Sequence, residues 1–263
     1  MSTLSTVVLL SGFADGNDVA LAFFIGSATF FLYNLHKPVT YFLRKQFIHN
    51  QRFTKTKVFQ IPLSILTILS GIYCVFFFFS LPSTLQFFLV GIAFLSLGYV
   101  LPILGKGRRL RDVAYIKIFL IALVWAAMTV GLPYLIVKNT VNPMCFWQLF
   151  IERSCFIFAL CIPFDIRDMD WDRQTNVKTI PLSIGVKNAK IWGISALTLA
   201  ILLVFLLKDA TIYTFSQFLI QSSLYVLTMF IVSITNSKRS DYFFYGLIDG
   251  LIFVQGLLLF LVF

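Results

Sequence analysis

Long apolar runs are the feature that most constrains how this chain folds. Residues 116–137 and 243–263 each exceed the roughly 18 residues that mark a candidate membrane span. Only 12% of the 263 residues are charged, whereas about 25% are charged in a typical soluble domain. We therefore expect an integral membrane protein. The runs exclude a secreted disulfide scaffold, a coiled coil and a disordered chain.

Apolar length, together with breaks at Gly, Pro and charged residues, predicts the individual spans. We expect eight full membrane helices, near residues 19–42, 58–79, 84–101, 115–137, 144–164, 189–207, 212–234 and 243–263. Residues 2–14 are also apolar but too short to cross a hydrocarbon core about 30 Å thick. Because half a helix leaves backbone groups unsatisfied in lipid, we expect this shortened first helix to extend upstream of Met1. The prediction is one all-α, nine-helix membrane domain over residues 1–263.

The basic residues predict the orientation of these helices. All but three of the 21 Lys and Arg residues lie in four segments, at 37–57, 106–117, 167–190 and 238–239. Loops rich in Lys and Arg stay on the cytoplasmic side, so the alternation predicts nine crossings with the N-terminus inside. The net charge of +10 is then explained by topology, and we expect no binding of nucleic acid.

Acidic residues gather at the cytoplasmic end of one span. Four of the 11 acids lie within one short stretch: Asp165, Asp168, Asp170 and Asp172. If a single helix continues through it, three of them share a face and Asp170 does not. Like charges at this spacing require a compensating cation, and oxygen-only ligands favour Mg²⁺. The alternative is a solvated acidic loop neutralised by the basic residues around it.

Two stretches resemble a known family. The sequence DIRDMDWDRQTNVKTIPLSIG, residues 165–185, resembles the second aspartate-rich motif of the UbiA-type intramembrane prenyltransferases. The positions in register are Asp165, Arg167, Asp168, Asp172, Arg173, Thr179 and Gly185, while Asn176 stands where glycine is usual. Residues 98–126 are similar to the family's region in which a Tyr and a Pro precede a basic loop. The family has nine helices, as counted here.

The resemblance implies a function. Family members ionise a prenyl diphosphate and transfer the allylic group to a lipophilic acceptor, often aromatic, within membrane lipid. Asp168 and Asp172 would then hold Mg²⁺, with Asp165 as a further oxygen ligand. The candidate diphosphate donors are basic residues: Arg173, Lys178, Lys117 and Arg111. Tyr99 would stabilise the cation or contact phosphate, and the expected location is a bacterial inner membrane with the site facing the cytoplasm.

The family's first aspartate-rich motif is eroded in this sequence. The corresponding residues read YNLHKPVTYF, in which Asn34 matches but Leu35 and Pro38 stand at carboxylate positions. We therefore expect one metal ion rather than two, with His36 and Lys37 as alternative phosphate contacts. A second hypothesis is a protein with this fold that binds lipid or isoprenoid without transferring it. A transporter is disfavoured, because polar residues collect at one membrane face.

Three other polar positions lie within the predicted spans. We interpret Glu152 and Arg153 as a local polar pair distant from the aspartates, and we expect Asp249 to face a cavity or a partner. The four cysteines show no CxxC spacing, so neither a zinc site nor a disulfide framework is indicated. The acceptor, the prenyl length and the oligomeric state are not specified by the sequence.

Overall fold

The computed structural model describes residue 6 and residues 16–43, 60–105, 107–137 and 142–262. Within these ranges every regular element is helical. The chain divides into two compact units, one of residues 19–111 and one of residues 1–18 with 112–263. That residues 1–263 form a single membrane domain stays a prediction. The predicted first helix at residues 2–14 lies, apart from residue 6, outside the described residues.

In the unit of residues 19–111 the structure describes three long helices, the first of which begins just before it: α1 (Gly16–Leu43), α2 (Gln60–Ser80) and α3 (Ser83–Val100). Helix α1 packs against α2, where the rings of Phe24 and Phe77 stack with centroids 5.2 Å apart. Across the same contact, the hydroxyl of Tyr73 donates to the carbonyl of Ala20 at 3.3 Å. A short 3₁₀ turn, Leu110–Asp112, follows the basic loop.

The second unit contains the remaining helices of the described chain: α4 (Ile116–Ile136), α5 (Pro143–Arg167), α6 (Met169–Gln174), α7 (Ile180–Asp209), α8 (Phe215–Ser233) and α9 (Phe243–Leu261). Helix α5 is the centre of this unit, because it packs against α4, α7 and α8. Its start is capped by Asn142, whose side-chain oxygen accepts from the backbone N–H of Met144 at 2.8 Å. A reciprocal capping box between Thr214 and Gln217 begins α8.

Two of the described helices contain a π-helical turn. In α4 this turn is Ala127–Gly131, and in α9 it is Phe243–Ile248. A π turn closes i→i+5 hydrogen bonds and therefore takes up one more residue than an α turn. Both turns continue directly into α-helix, so neither ends the span in which it lies.

Six helices of the described chain are long and apolar enough to cross a membrane, namely α2, α3, α4, α7, α8 and α9. Together with the exposed apolar side chains on their surfaces, they confirm the predicted all-α, multi-pass bundle. Helix α5 is also long enough to span, but it carries the ionisable pair Glu152 and Arg153. In α1, the described stretch Val19–Leu35 is also apolar.

The largest difference from the predicted boundaries is the start of α7. This helix begins at Ile180 rather than near residue 189, with Pro181 in its first turn, where the missing proline N–H costs no helical hydrogen bond. Gly185 interrupts it with φ 83° and ψ 157°, a conformation open to glycine and strained for other residues. The first turn of the helix, with the sequence IPLSI, precedes this break, and the long span follows it.

Candidate functional site

The aspartate-rich motif folds as a turn between two helices. Helix α5 ends at Arg167, Asp168 adopts φ −92° and ψ 6°, and α6 begins at Met169. The backbone N–H of Asp168 still donates to Phe164 at 3.0 Å, and that of Asp172 to Asp168 at 2.9 Å. Helical hydrogen bonds are thus present on both sides of Asp168, but the continuous helix expected through residues 165–172 is interrupted at this residue.

Lys117 brings two of the predicted metal ligands together. Its ammonium nitrogen lies 2.8 Å from Oδ1 of Asp165 and 3.6 Å from Oδ2 of Asp172. Lys117 is 6% exposed, Asp165 2% and Asp172 3%. A cation in the first turn of a helix is disfavoured by the helix dipole, so the two carboxylates supply the favourable field that this lysine needs.

The backbone around Lys117 is anchored to the segment that follows the motif. Tyr115 precedes α4 in a left-handed conformation, with φ 64°. Its N–H donates to the carbonyl of Lys178 at 3.0 Å, and its hydroxyl lies 3.0 Å from that of Ser183. The starts of α4 and α7 are thus connected, which fixes the position from which Lys117 reaches the carboxylates.

Asp168 has a different partner. Nε and Nη2 of Arg167 donate to its two carboxylate oxygens at 2.8 and 3.1 Å, an arrangement that fixes the carboxylate plane. The guanidinium also lies over the rings of Phe164, Phe244 and Tyr245, at 5.0, 5.2 and 5.0 Å from their centroids. The sequence prediction did not assign this role to Arg167, although the Arg-Asp dipeptide is the signal that indicates it.

The remaining charges of the motif are on the surface. Asp170 and Arg173 form an ion pair at 3.5 Å, with the Asp170 side chain 86% exposed, as expected of a residue off the shared face. The side chain of Lys178 is exposed as well. Asn176 has φ 53°, a left-handed conformation that asparagine tolerates better than most residues. This conformation explains why asparagine can stand where the family pattern has glycine.

Three other candidates belong to the unit of residues 19–111. Asn34 is half-buried, and its side-chain amide donates to the carbonyl of Phe30 at 2.9 Å. The guanidinium of Arg111 lies 4.9 Å from the ring centroid of Tyr99, a cation–π contact. The side chains of His36, Lys37 and Pro38 lie outside the described residues.

Asp249, predicted to face a cavity or a partner, lies in α9 and is half-buried. It interacts electrostatically with Arg167. Cys161, one turn before Asp165, is close enough to Asp165, Lys117 and Asp249 to interact with the charges of all three. Asp249 therefore belongs to the electrostatic surroundings of the aspartate-rich turn.

The ligand atoms at this site can be compared with those that a metal ion requires. Among the described residues, no three His, Cys, Asp or Glu side chains are close enough together to hold a metal. Asp165 and Asp172 nevertheless converge on one cation, and carboxylate oxygens with substrate phosphates are the ligands that Mg²⁺ prefers. These two carboxylates are ligands of the kind that Mg²⁺ uses, whereas Asp168, three residues after Asp165, is paired with Arg167.

The chain is similar to a known protein family. The sequence model of the UbiA prenyltransferase family matches residues 51–248, which is well over half of the chain. The matched range contains Lys117 and the aspartate-rich turn. No curated protein and no solved structure matches the chain significantly.

Proposed function

Because the chain belongs to the UbiA prenyltransferase family, we propose that it transfers a prenyl group from a prenyl diphosphate to a lipophilic, possibly aromatic acceptor. Family membership supports prenyltransferase-type chemistry in general. The observation that carries the proposal to particular residues is the convergence of Asp165 and Asp172 on Lys117 at the end of a membrane helix.

The reaction requires the protein to neutralise a leaving group. The bond between the allylic carbon and the diphosphate oxygen breaks, and its electron pair leaves with the diphosphate. The acceptor then attacks the allylic cation and loses a proton. Lys117, Arg173, Lys178 and Arg111 are proposed to bind the diphosphate through charge-assisted hydrogen bonds. Tyr99 and Asn34 are proposed to take part in the reaction, as the resemblance to the family implies.

Asp165, Asp168 and Asp172 would hold Mg²⁺, which, when bound, supplies Lewis-acid neutralisation of the diphosphate oxygens. One ion is proposed rather than two, because Leu35 and Pro38 replace the carboxylates of the first motif. In this proposal, Arg167 acts through Asp168 as a positioning residue, since it fixes both carboxylate oxygens.

The apolar helices and the distribution of basic residues support a location in the cell. Six apolar helices in the described chain support a multi-pass membrane protein. The concentration of basic residues in segments such as 167–190 supports a site that faces the cytoplasm. We propose a bacterial inner membrane as the location, with membrane lipid around the bundle and no nucleic-acid partner.

The test is release of pyrophosphate by the purified full chain in detergent, supplied with geranyl, farnesyl or geranylgeranyl diphosphate. We expect release that requires Mg²⁺ and is lost with EDTA. Removing a charged group that acts in the transition state lowers turnover by orders of magnitude, so D165A, D168A and D172A should each abolish release. D170A is the matched control and should remain active, because its side chain is exposed and paired only with Arg173. Equal activity in all four variants would contradict the proposed site.

A second candidate function is binding of an isoprenoid or lipid without transfer. The observation that favours it is that Lys117 already neutralises part of the acidic site, while the first motif lacks its carboxylates. Introducing them as L35D and P38D distinguishes the two functions. A transferase with a weakened site should gain Mg²⁺-dependent binding of prenyl diphosphate. A protein of this fold that does not transfer prenyl groups should gain no Mg²⁺-dependent binding of prenyl diphosphate.

A further inference from the structure

Two consecutive aromatic residues of α9 lie against the arginine of the aspartate-rich motif. The guanidinium of Arg167 is 5.2 Å from the ring centroid of Phe244 and 5.0 Å from that of Tyr245. A third ring, Phe164 of α5, is 5.0 Å from the guanidinium and contacts both of the other rings. We call Phe164, Phe244 and Tyr245 the aromatic collar of Arg167. The collar helps to enclose this cation, whose side chain is only 10% exposed.

The π-helical turn of α9 explains how two neighbouring residues reach one guanidinium. Phe244 and Tyr245 both lie within the turn Phe243–Ile248. In an α-helix, with about 3.6 residues per turn, consecutive side chains diverge by about 100°. A turn closed by i→i+5 hydrogen bonds contains more residues, so the directions of the two rings diverge less. Such π turns inside α-helices frequently mark functional sites.

The cation within the collar is also bound to a carboxylate of the motif. Nε and Nη2 of Arg167 donate to the two oxygens of Asp168. An ionised carboxylate has about four lone-pair sites, so Asp168 can accept both hydrogen bonds and still bind a metal ion. Because one rigid, planar guanidinium contacts the rings and the carboxylate together, the rings influence where that carboxylate is held.

We infer that Phe244 and Tyr245 are positioning residues for Asp168 and act on it through Arg167. The inference rests on the proposed function, in which Asp168 binds Mg²⁺. Core packing accounts for Phe244, which is fully buried, but not for Tyr245, which is 58% exposed. The ring of Tyr245 nevertheless lies as close to the guanidinium as that of Phe164 does.

A titration of the melting temperature with Mg²⁺ tests the inference on the full chain in detergent, without prenyl diphosphate. Y245L removes the ring at an exposed position, so this variant should fold. A largely desolvated cation–π contact corresponds to roughly tenfold or more in an equilibrium constant. We therefore expect the Mg²⁺ concentration that gives half of the melting shift to rise about tenfold in Y245L. F244L should show a similar rise, and Y245F, which keeps the ring, should stay close to the wild type.

A residue that only stabilises the fold would give a different result. It would lower the melting temperature in EDTA and leave the Mg²⁺ requirement unchanged. That outcome in Y245L would overturn the inference, and Y245L decides alone if the buried substitution F244L does not fold.

F243L is the matched control. Phe243 belongs to the same π turn, but its ring lies 5.4 Å from the guanidinium of Arg239. The Mg²⁺ requirement of F243L should equal that of the wild type. Equal rises in F243L and Y245L would mean that disturbance of the turn, rather than loss of the collar, is the cause.

The variant R167M shows whether the ring acts through Arg167. With the guanidinium absent, adding Y245L should raise the Mg²⁺ requirement no further. An equal rise in the R167M and wild-type backgrounds would overturn the inference.

Pyrophosphate release by the wild type, measured alongside, separates this inference from the proposed function. Release with an unchanged Mg²⁺ requirement in Y245L would contradict the positioning role alone. A raised Mg²⁺ requirement in Y245L without release by the wild type would support the positioning role and contradict the transferase. A wild type that shows neither release nor a melting shift with Mg²⁺ would contradict both.

Discussion

The ammonium of Lys117 lies 2.8 Å from the carboxylate of Asp165, joining the first turn of α4 to the last turn of α5. Asp172 approaches the same ammonium from α6. One buried positive charge therefore balances two buried carboxylates. A metal ion bound as proposed would compete with the Lys117 ammonium for these oxygens, so the proposal can be tested without any substrate.

Replacing Lys117 by methionine should destabilise the metal-free protein. Breaking a buried ion pair by removing one partner costs about 3–5 kcal/mol, because the remaining charge is left uncompensated. The K117M variant should therefore melt at a lower temperature than the wild type in EDTA. Mg²⁺ should restore part of the loss, since it replaces the missing positive charge.

K187M is the matched control for this measurement. Lys187 is also a lysine near the start of a helix, but its side chain is exposed. The K187M variant should therefore melt at nearly the wild-type temperature, with or without Mg²⁺. If K117M and the wild type have the same melting temperature in EDTA, Lys117 does not neutralise the two buried carboxylates as proposed.

Replacing Arg167 by lysine should impair turnover while keeping the charge. Lysine cannot donate to both oxygens of Asp168 in the fixed geometry of a guanidinium, nor stack in the same way on Phe164, Phe244 and Tyr245. Misplacing a group by about 1 Å can cost about 10²-fold in rate. We expect kcat for pyrophosphate release to fall on this scale and the Mg²⁺ concentration needed for activity to rise.

The control for R167K is R239K, since the Arg239 side chain is exposed and lies over the ring of Phe243. It should retain both kcat and Mg²⁺ dependence. A fall in stability alone, with kcat and Mg²⁺ dependence unchanged in R167K, would show that Arg167 has only a structural role.

Replacing Gly185 by alanine should destabilise the protein through backbone strain. A side chain at this position would meet no atom within 4 Å, so crowding is not the cause. The φ of 83° is the cause, and conformations of this kind cost about 1–3 kcal/mol for other residues. Thermal or denaturant unfolding of G185A measures the loss.

Gly91 provides the comparison, because it also has open space around it but lies in the regular helix α3. Alanine is favoured over glycine in a helix interior, so G91A should be neutral or stabilising. Equal destabilisation by the two substitutions would mean that conformation at Gly185 is not responsible.

Topology reporters test the predicted orientation. A reporter inserted near Asn50 should lie in the cytoplasm, because the segment 37–57 is basic. A reporter fused after Phe263 should lie on the opposite side. The reverse pair of results would contradict the nine-crossing arrangement and the cytoplasmic placement of the aspartates.

The spans could be predicted from the sequence because each is a long apolar run, and hydropathy averages over many residues. Helices α3 and α8 accordingly begin and end within a few residues of their predicted positions. The breaks at Asp168 and Gly185 escaped prediction, since one residue with unusual φ and ψ leaves the apolar pattern nearly unchanged. Local backbone conformation and hydropathy are separate signals.

The candidate site was predictable in its residues but not in its pairing. Asp165, Asp168 and Asp172 have the same side chain and similar spacing, so the sequence does not show which of them a distant lysine contacts. Tertiary packing brings Lys117 to Asp165 and Asp172, whereas Asp168 pairs with its chain neighbour Arg167. The buried hydrogen bonds of Gln221 with Glu152 and Tyr225 were not predicted. Each helix contributes only isolated polar residues, and their pairing depends on how the helices pack.

The π-helical turn at Phe243–Ile248 has a consequence for how relatives should differ. A turn with one extra residue can lose that residue and become an ordinary α turn without shortening the span by more than one helical step. Such a deletion would rotate Phe244 and Tyr245 away from Arg167 while leaving Gln255 and the rest of α9 in place. Alignments of related sequences should therefore show single-residue deletions within residues 243–248. Sequences with such a deletion should lack the aromatic residues at the positions of Phe244 and Tyr245.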